Sequence, residues 1–168
     1  YILSSSKDCR GILFDINSQK KILIPKFSNK SLNSCMFSPD EKSFYFGSQD
    51  HCIYQLDRNS LQVIQKIKAH NEAVTGLLFD KTKEQFYSIG NDHLLKVCNS
   101  DTTPSILLET LYGHTNRINI IRSIPGELNK VITTSTDGYI NLWKIDSQSF
   151  LQFNLNDIYP VDCITALN

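Results

Sequence analysis

Four aspartates set the frame of this 168-residue sequence. Asp8, Asp50, Asp92 and Asp137 stand at intervals of 42, 42 and 45 residues. Six positions after each comes Phe14, Leu56, Cys98 or Trp143, and four positions before each comes Ser4, Phe46, Ser88 or Thr133. His70 and His114 precede the last two aspartates by 22 and 23 positions, within Ala-His and Gly-His pairs. Four aligned copies at one period make an internal repeat. A repeat of this length is one supersecondary unit that buries its faces only by stacking on its neighbours.

Between the anchors, short runs rich in β-branched and aromatic residues are separated by turn residues, which argues for strands and against helices. The strand-like runs are 1–5, 11–15 and 21–24; then 32–37, 44–47, 52–56 and 62–67; then 74–79, 85–89, 94–98 and 106–111; then 118–122, 131–135, 140–145 and 149–153. Ser38-Pro39-Asp40-Glu41 is a natural type I turn, since Pro presets φ and Ser or Asp bonds back to the chain. Asp137-Gly138 supplies the positive φ of a tight hairpin, and Pro125-Gly126 separates the first strand of its unit from the second.

Four short strands per copy, a Gly-His pair, an Asp turn and a closing Trp are the per-repeat signature of a WD-repeat β-propeller blade. The expected fold is all-β, with about four consecutive four-stranded blades of which the first and last are incomplete. Residues 1–168 then form one propeller segment: a partial blade at 1–24, blades at 32–67, 74–111 and 118–153, and the inner strand of a next blade at 161–167. Tyr1 already stands in a strand-like run, so the sequence reads as a piece of a longer polypeptide. Unpaired edges at both ends are expected to seek pairing with another chain. Because blades stack face to face, both sides of each strand are expected to be buried. The second unit, with Phe46 in place of a hydroxyl and no Gly-His pair, and the third, ending in Cys98-Asn99, are expected to hold mainly by packing and to lack the full polar chain.

His114, Thr133, Asp137 and Trp143 contain the parts of a nucleophilic triad. A catalytic centre would occur once, whereas this set recurs in part as His70, Ser88 and Asp92. The expectation is therefore a buried hydrogen-bonded chain that holds the blade, because buried polar groups need partners. No Gly-rich phosphate loop, H-E-x-x-H or G-x-S-x-G motif occurs, so neither enzyme activity nor a cofactor or small-molecule substrate is expected. His51 and His93 follow the turn Asp in two units. They read as solvated turn residues on one rim, with paired metal ligands as the alternative.

Seventeen basic residues balance seventeen acidic ones, which gives no global case for nucleic acid or an anionic membrane. Charge is nonetheless uneven. Lys7, Arg10, Lys20, Lys21, Lys26 and Lys30 face only Asp8 and Asp15 within residues 1–30. That end reads either as a solvated surface or as a face for a polyanion such as RNA. Arg117 sits on the rim formed by the loops before each inner strand, where partners of such scaffolds bind. The five cysteines are scattered, with no C-x-x-C pair, so reduced thiols in an intracellular compartment are expected. No run approaches the roughly 18 apolar residues of a membrane span.

The order of several segments resembles one family, the WD-repeat subunit of the U3 small nucleolar ribonucleoprotein. The segments are SSSKDCRGILFDI at 4–16, AHNEAVTGLLFDKTKEQFYSIGNDHLLKV at 69–97, LLETLYGHTNRI at 107–118, GYINLWKI at 138–145 and VDCITALN at 161–168. The resemblance implies a seven-bladed ring and a non-catalytic, nucleolar protein. Such a subunit binds U3 small nucleolar RNA together with other proteins of the particle in processing of small-subunit ribosomal RNA. It does not carry RNA-contacting residues over by motif. A WD-repeat protein-interaction scaffold without RNA contact is the alternative reading.

Overall fold

The computed structural model describes residues 1–80, 83–100, 105–147 and 149–154. The described strands form four antiparallel sheets in chain order. The first is three-stranded: β1 (Ile2–Ser5), β2 (Gly11–Asp15) and β3 (Lys20–Leu23). The second pairs β4 (Leu32–Phe37), β5 (Ser43–Ser48), β6 (Cys52–Asp57) and β7 (Val63–Lys68). The third pairs β8 (Val74–Asp80), β9 (Gln85–Gly90), β10 (Leu95–Asn99) and β11 (Leu107–Leu111). The fourth pairs β12 (Ile118–Ile124), β13 (Glu127–Ser135), β14 (Tyr139–Lys144) and β15 (Ser149–Asn154), with one 3-10 turn at Ile145–Ser147. Each sheet is a meander in sequence order, the plan of a propeller blade. The inner strand expected at 161–167 lies outside the described residues.

The turns form as their residues dictate. The Glu41 N–H closes on the Ser38 carbonyl at 3.0 Å, and the Ser38 hydroxyl donates to Asp40 at 2.6 Å. Only Pro125-Gly126 stands between β12 and β13, so the hairpin is a two-residue turn.

The core consists of layers between sheets. Alternate residues of β5 point in opposite directions: Phe44 and Phe46 join a cluster with Leu13 and Ile24 of the first unit, while Tyr45 joins one with Val74 and Phe86 of the third. A third layer holds Tyr87, Ile89, Leu95 and Val97 against Ile118, Ile121, Val131 and Trp143. Middle strands are therefore buried on both faces. The outer strands depart from that expectation, since every residue of β3 and β15 is exposed. An outer strand lies at the circumference, where successive blades diverge and leave its faces to solvent.

A repeated joint, unread in the sequence, locks the inner strands together. The pairing register slips after Leu32, Val74 and Ile118, making Asn33, Thr75 and Asn119 bulge positions. A bulge re-aims its side chain. Asn33 donates to the Val74 carbonyl at 2.9 Å, and Thr75 donates to the Ile118 carbonyl at 2.6 Å. Each bond runs from the start of one inner strand to the start of the next. The inner strands thus begin on one common rim, which also carries the Asp turns.

Candidate partner-binding rim

The Asp turn has one backbone form in all four units. The residue after Asp is left-handed each time: Cys9 at φ 69°, His51 at 70°, His93 at 66° and Gly138 at 82°. Only glycine adopts this region without cost. His51 and His93 are half-buried occupants of that position. Among the described residues no group of three or more His, Cys, Asp or Glu is arranged to hold a metal ion. The Asp carboxylate stabilises the strained turn by accepting the N–H two residues on. That bond joins Asp8 to Arg10 at 3.1 Å, Asp50 to Cys52 at 3.3 Å and Asp137 to Tyr139 at 3.0 Å.

In the fourth unit the other Asp oxygen begins a chain inward. His114 Nδ1 lies 2.8 Å from Asp137, His114 Nε2 lies 2.8 Å from Thr133 Oγ1, and Trp143 Nε1 donates to the same Oγ1 at 2.7 Å. The Thr115 N–H adds a 2.9 Å bond to Asp137. Thr133 and Trp143 are fully buried, and so are the side chains of His114 and Asp137. A single assignment satisfies every atom: indole N–H to hydroxyl, hydroxyl to neutral imidazole, imidazole N–H to carboxylate. Burial holds the His114 pKa below its ordinary value, against the opposing pull of Asp137. Burial also works against the Asp137 charge, but the Thr115, Tyr139 and His114 donors outweigh it and keep the carboxyl below its usual range. The hydroxyl is capped by the indole inside the core, away from any opening where a substrate would reach it.

The third unit repeats most of this, with His70 Nδ1 at 2.8 Å from Asp92, Nε2 at 2.9 Å from Ser88, and Asn71 N–H on Asp92 at 2.9 Å. Cys98 stands where the indole would be. Lys96, a buried lysine, reaches back to the Ala69 carbonyl. The second unit is built differently. Ser28 holds the place 22 residues before Asp50, and its hydroxyl lies 3.3 Å from that of Ser48. Asp50 instead accepts from the Tyr54 hydroxyl at 2.5 Å and from Lys66 at 3.0 Å. Sequence reading missed Ser28, Tyr54 and Lys66. Counting back from Asp50 would have found Ser28, whereas nothing in the local sequence marks the tyrosine and lysine as partners of that aspartate.

The six basic residues of 1–30 are all exposed but do not share one place. Lys7 and Arg10 flank the Asp8 turn, and Lys26 and Lys30 lie in the loop leading to β4, so these four stand on the Asp-turn rim. Lys20 and Lys21 begin β3 at the opposite end of the sheet, where Lys20 pairs in register with Asp15. Arg117 is exposed on the Asp-turn rim, and its Nε donates to Asn119 at 2.7 Å. No helix of the described residues is long and apolar enough to cross a membrane.

Comparison with known proteins points the same way. Residues 105–144 match the family model of the WD domain, G-beta repeat. The solved structure of U3-55K superposes with a TM-score of 0.80 at 28% identity, covering 90% of this chain and 47% of that one. A crystal structure of RRP9 WD40 repeats gives a TM-score of 0.79 at 28% identity, with the same coverage. The WD40 repeat-containing protein smu1 of Dictyostelium discoideum is 28% identical over 58% of this chain and 19% of its own length. The chain thus spans about half of the solved chains and about a fifth of that relative. A period of 42 to 45 residues, stacked meander sheets and these likenesses agree: the chain carries a WD repeat at 105–144 and folds as consecutive WD-type β-propeller blades.

Proposed function

We propose that this chain is part of a non-catalytic subunit of a small nucleolar ribonucleoprotein. In this reading it holds U3 small nucleolar RNA and companion proteins during processing of small-subunit ribosomal RNA in the nucleolus. The carrying observation is the likeness to U3-55K, 28% identical with a TM-score of 0.80 over 90% of this chain. The buried polar chain supports the absence of catalysis, because its hydroxyl is spent on Trp143 and His114. The scaffold presents its rims to partners, and the four blades here are part of a seven-bladed ring. The test is purification of the tagged protein from cells, sequencing of the RNA that comes with it, and imaging of its location. One small nucleolar RNA strongly enriched, with a nucleolar signal, is the expected result.

A second reading is a WD-repeat scaffold that contacts proteins only. The net charge of zero favours it. In the same experiment it gives co-purified proteins and no enriched RNA.

A further inference from the structure

We propose that two loops at the junction of the first and second blades form a single phosphate-binding patch, built from Lys7, Arg10, Lys26 and Lys30. The proposal rests on the RNA-binding reading above and names where the RNA backbone is held.

The loops are residues 6–10, between β1 and β2, and residues 24–31, between β3 and β4. Backbone and side-chain bonds tie them into one surface. The Ile24 N–H donates to the Gly11 carbonyl at 3.1 Å, the Leu32 N–H to the Ser6 carbonyl at 3.1 Å, and the Ser31 hydroxyl to the Lys7 carbonyl at 3.1 Å. All four cations are exposed, and Asp8 is the one acidic residue in the two loops.

What sets this patch apart is that four uncommitted charges share linked loops. Among the described residues none of its four cations forms an ion pair. On the opposite rim Lys42 pairs with Asp40, Arg58 with Glu41, Lys83 with Asp146 and Lys130 with Glu127, which leaves Lys20 and Lys21 as a smaller uncommitted pair there. Four uncommitted cations thus stand together on linked loops, while Lys20, Lys21, Lys68, Arg117 and Arg122, also outside any ion pair among the described residues, lie elsewhere in the chain. Unpaired lysines and an arginine on linked loops match closely spaced phosphates, and neutralising phosphate releases condensed counterions. The neighbouring aromatic ring, Phe27, is packed on Phe46 at 5.1 Å and on Tyr54 at 5.2 Å. It is not free to stack on a base. The patch accordingly grips backbone and is indifferent to base identity.

The test uses a fluorescein-labelled oligouridine of about 12 nucleotides, titrated with the purified protein at 50 and 200 mM salt. A variant with Lys7→Gln, Arg10→Gln, Lys26→Gln and Lys30→Gln is compared with Lys20→Gln, Lys21→Gln on the other end of the same sheet. The expected result is a loss of at least about tenfold at 50 mM salt for the first variant, with its log–log salt slope reduced by up to about 3. The second variant should stay within about twofold, and an oligocytidine probe should bind wild type equally well. Replacing Lys7, Lys26 and Lys30 by Arg should keep the affinity, because charge is what the patch supplies. Salt-dependent binding by wild type that the quadruple variant retains would overturn the patch and leave the proposed function standing. No salt-dependent binding by wild type would overturn both.

Discussion

The second and fourth blades fold the same turn with opposite chemistry. In the fourth, His114, Thr133 and Trp143 form a polar chain beneath Asp137, next to Gly113. The matching positions in the second are Phe27, Ser28, Phe46 and Leu56, so two packed aromatic rings stand where the fourth blade has Gly113 and Thr133. The exchange is coupled by volume. A Cβ on Gly113 would come within 2.8 Å of the Trp143 ring and 2.7 Å of Phe150, so a ring at that position requires the tryptophan to be gone. In the second blade Leu56 leaves that room and Phe27 takes it. The two blades share the aspartate, its left-handed successor and a serine two residues before it, Ser48 or Ser135, whose hydroxyl accepts the Asp N–H, so the turn is what the repeat requires and the support beneath it is interchangeable as a set.

The sharpest break of this comparison mixes the two sets. Phe46→Ser imports the hydroxyl of the other blades into a site with no histidine and no indole, and leaves a cavity in place of a fully buried ring. Urea unfolding should show a loss of about 3–5 kcal/mol. Asp137→Ala comes next. It strands the His114 ring and the Thr115 and Tyr139 amides, at about 1–3 kcal/mol for each group left unsatisfied. Asp50→Ala should cost distinctly less, because Lys66, with its side chain 51% exposed, regains water. Equal losses for the two alanines would erase the distinction between the blades.

A smaller effect separates the blades by pH. The native fold holds the His114 pKa below its ordinary 6.5, so the unfolded chain binds the extra proton first. Stability is lost as pH falls through about 6.5, because the unfolded state takes up protons there and the native state does not. The carboxyls of Asp50, Asp92 and Asp137 are likewise held below an ordinary 3.8, so their contribution is lost only as pH falls below that value. Amide exchange between pH 7.5 and 5.5 should therefore lose protection around Thr115 and Tyr139 while Cys52 in the second blade keeps it. The smallest effect is His93→Gly, which relieves the positive φ of 66°. A gain of up to about 1 kcal/mol is expected, offset in part by the greater freedom of unfolded glycine.

Much of this was legible because the repeat is written in positions rather than in composition. The spacing of the aspartates located every Asp turn, and β-branched runs located the strands to within a few residues. Three features were not legible, each for a physical reason. Cys9, His51 and His93 do not announce a left-handed backbone as Gly138 does, because the turn is imposed on them by the strands it joins. The bulged Asn33 and Thr75 bond to the next inner strand, a contact between residues 41 and 43 positions apart that no local pattern marks. The basic run of 1–30 looked like one patch, but antiparallel pairing sends Lys7 and Lys20 to opposite rims.

The central claim is that His114 and Asp137 act as one folding unit. A double-mutant cycle with His114→Ala, Asp137→Ala and both together, read by urea unfolding at pH 7.5, measures it most directly. Joined groups should show a coupling of about 1–2 kcal/mol, with the double variant much less destabilised than the two single losses combined. Losses that add to within about 0.3 kcal/mol would contradict the account.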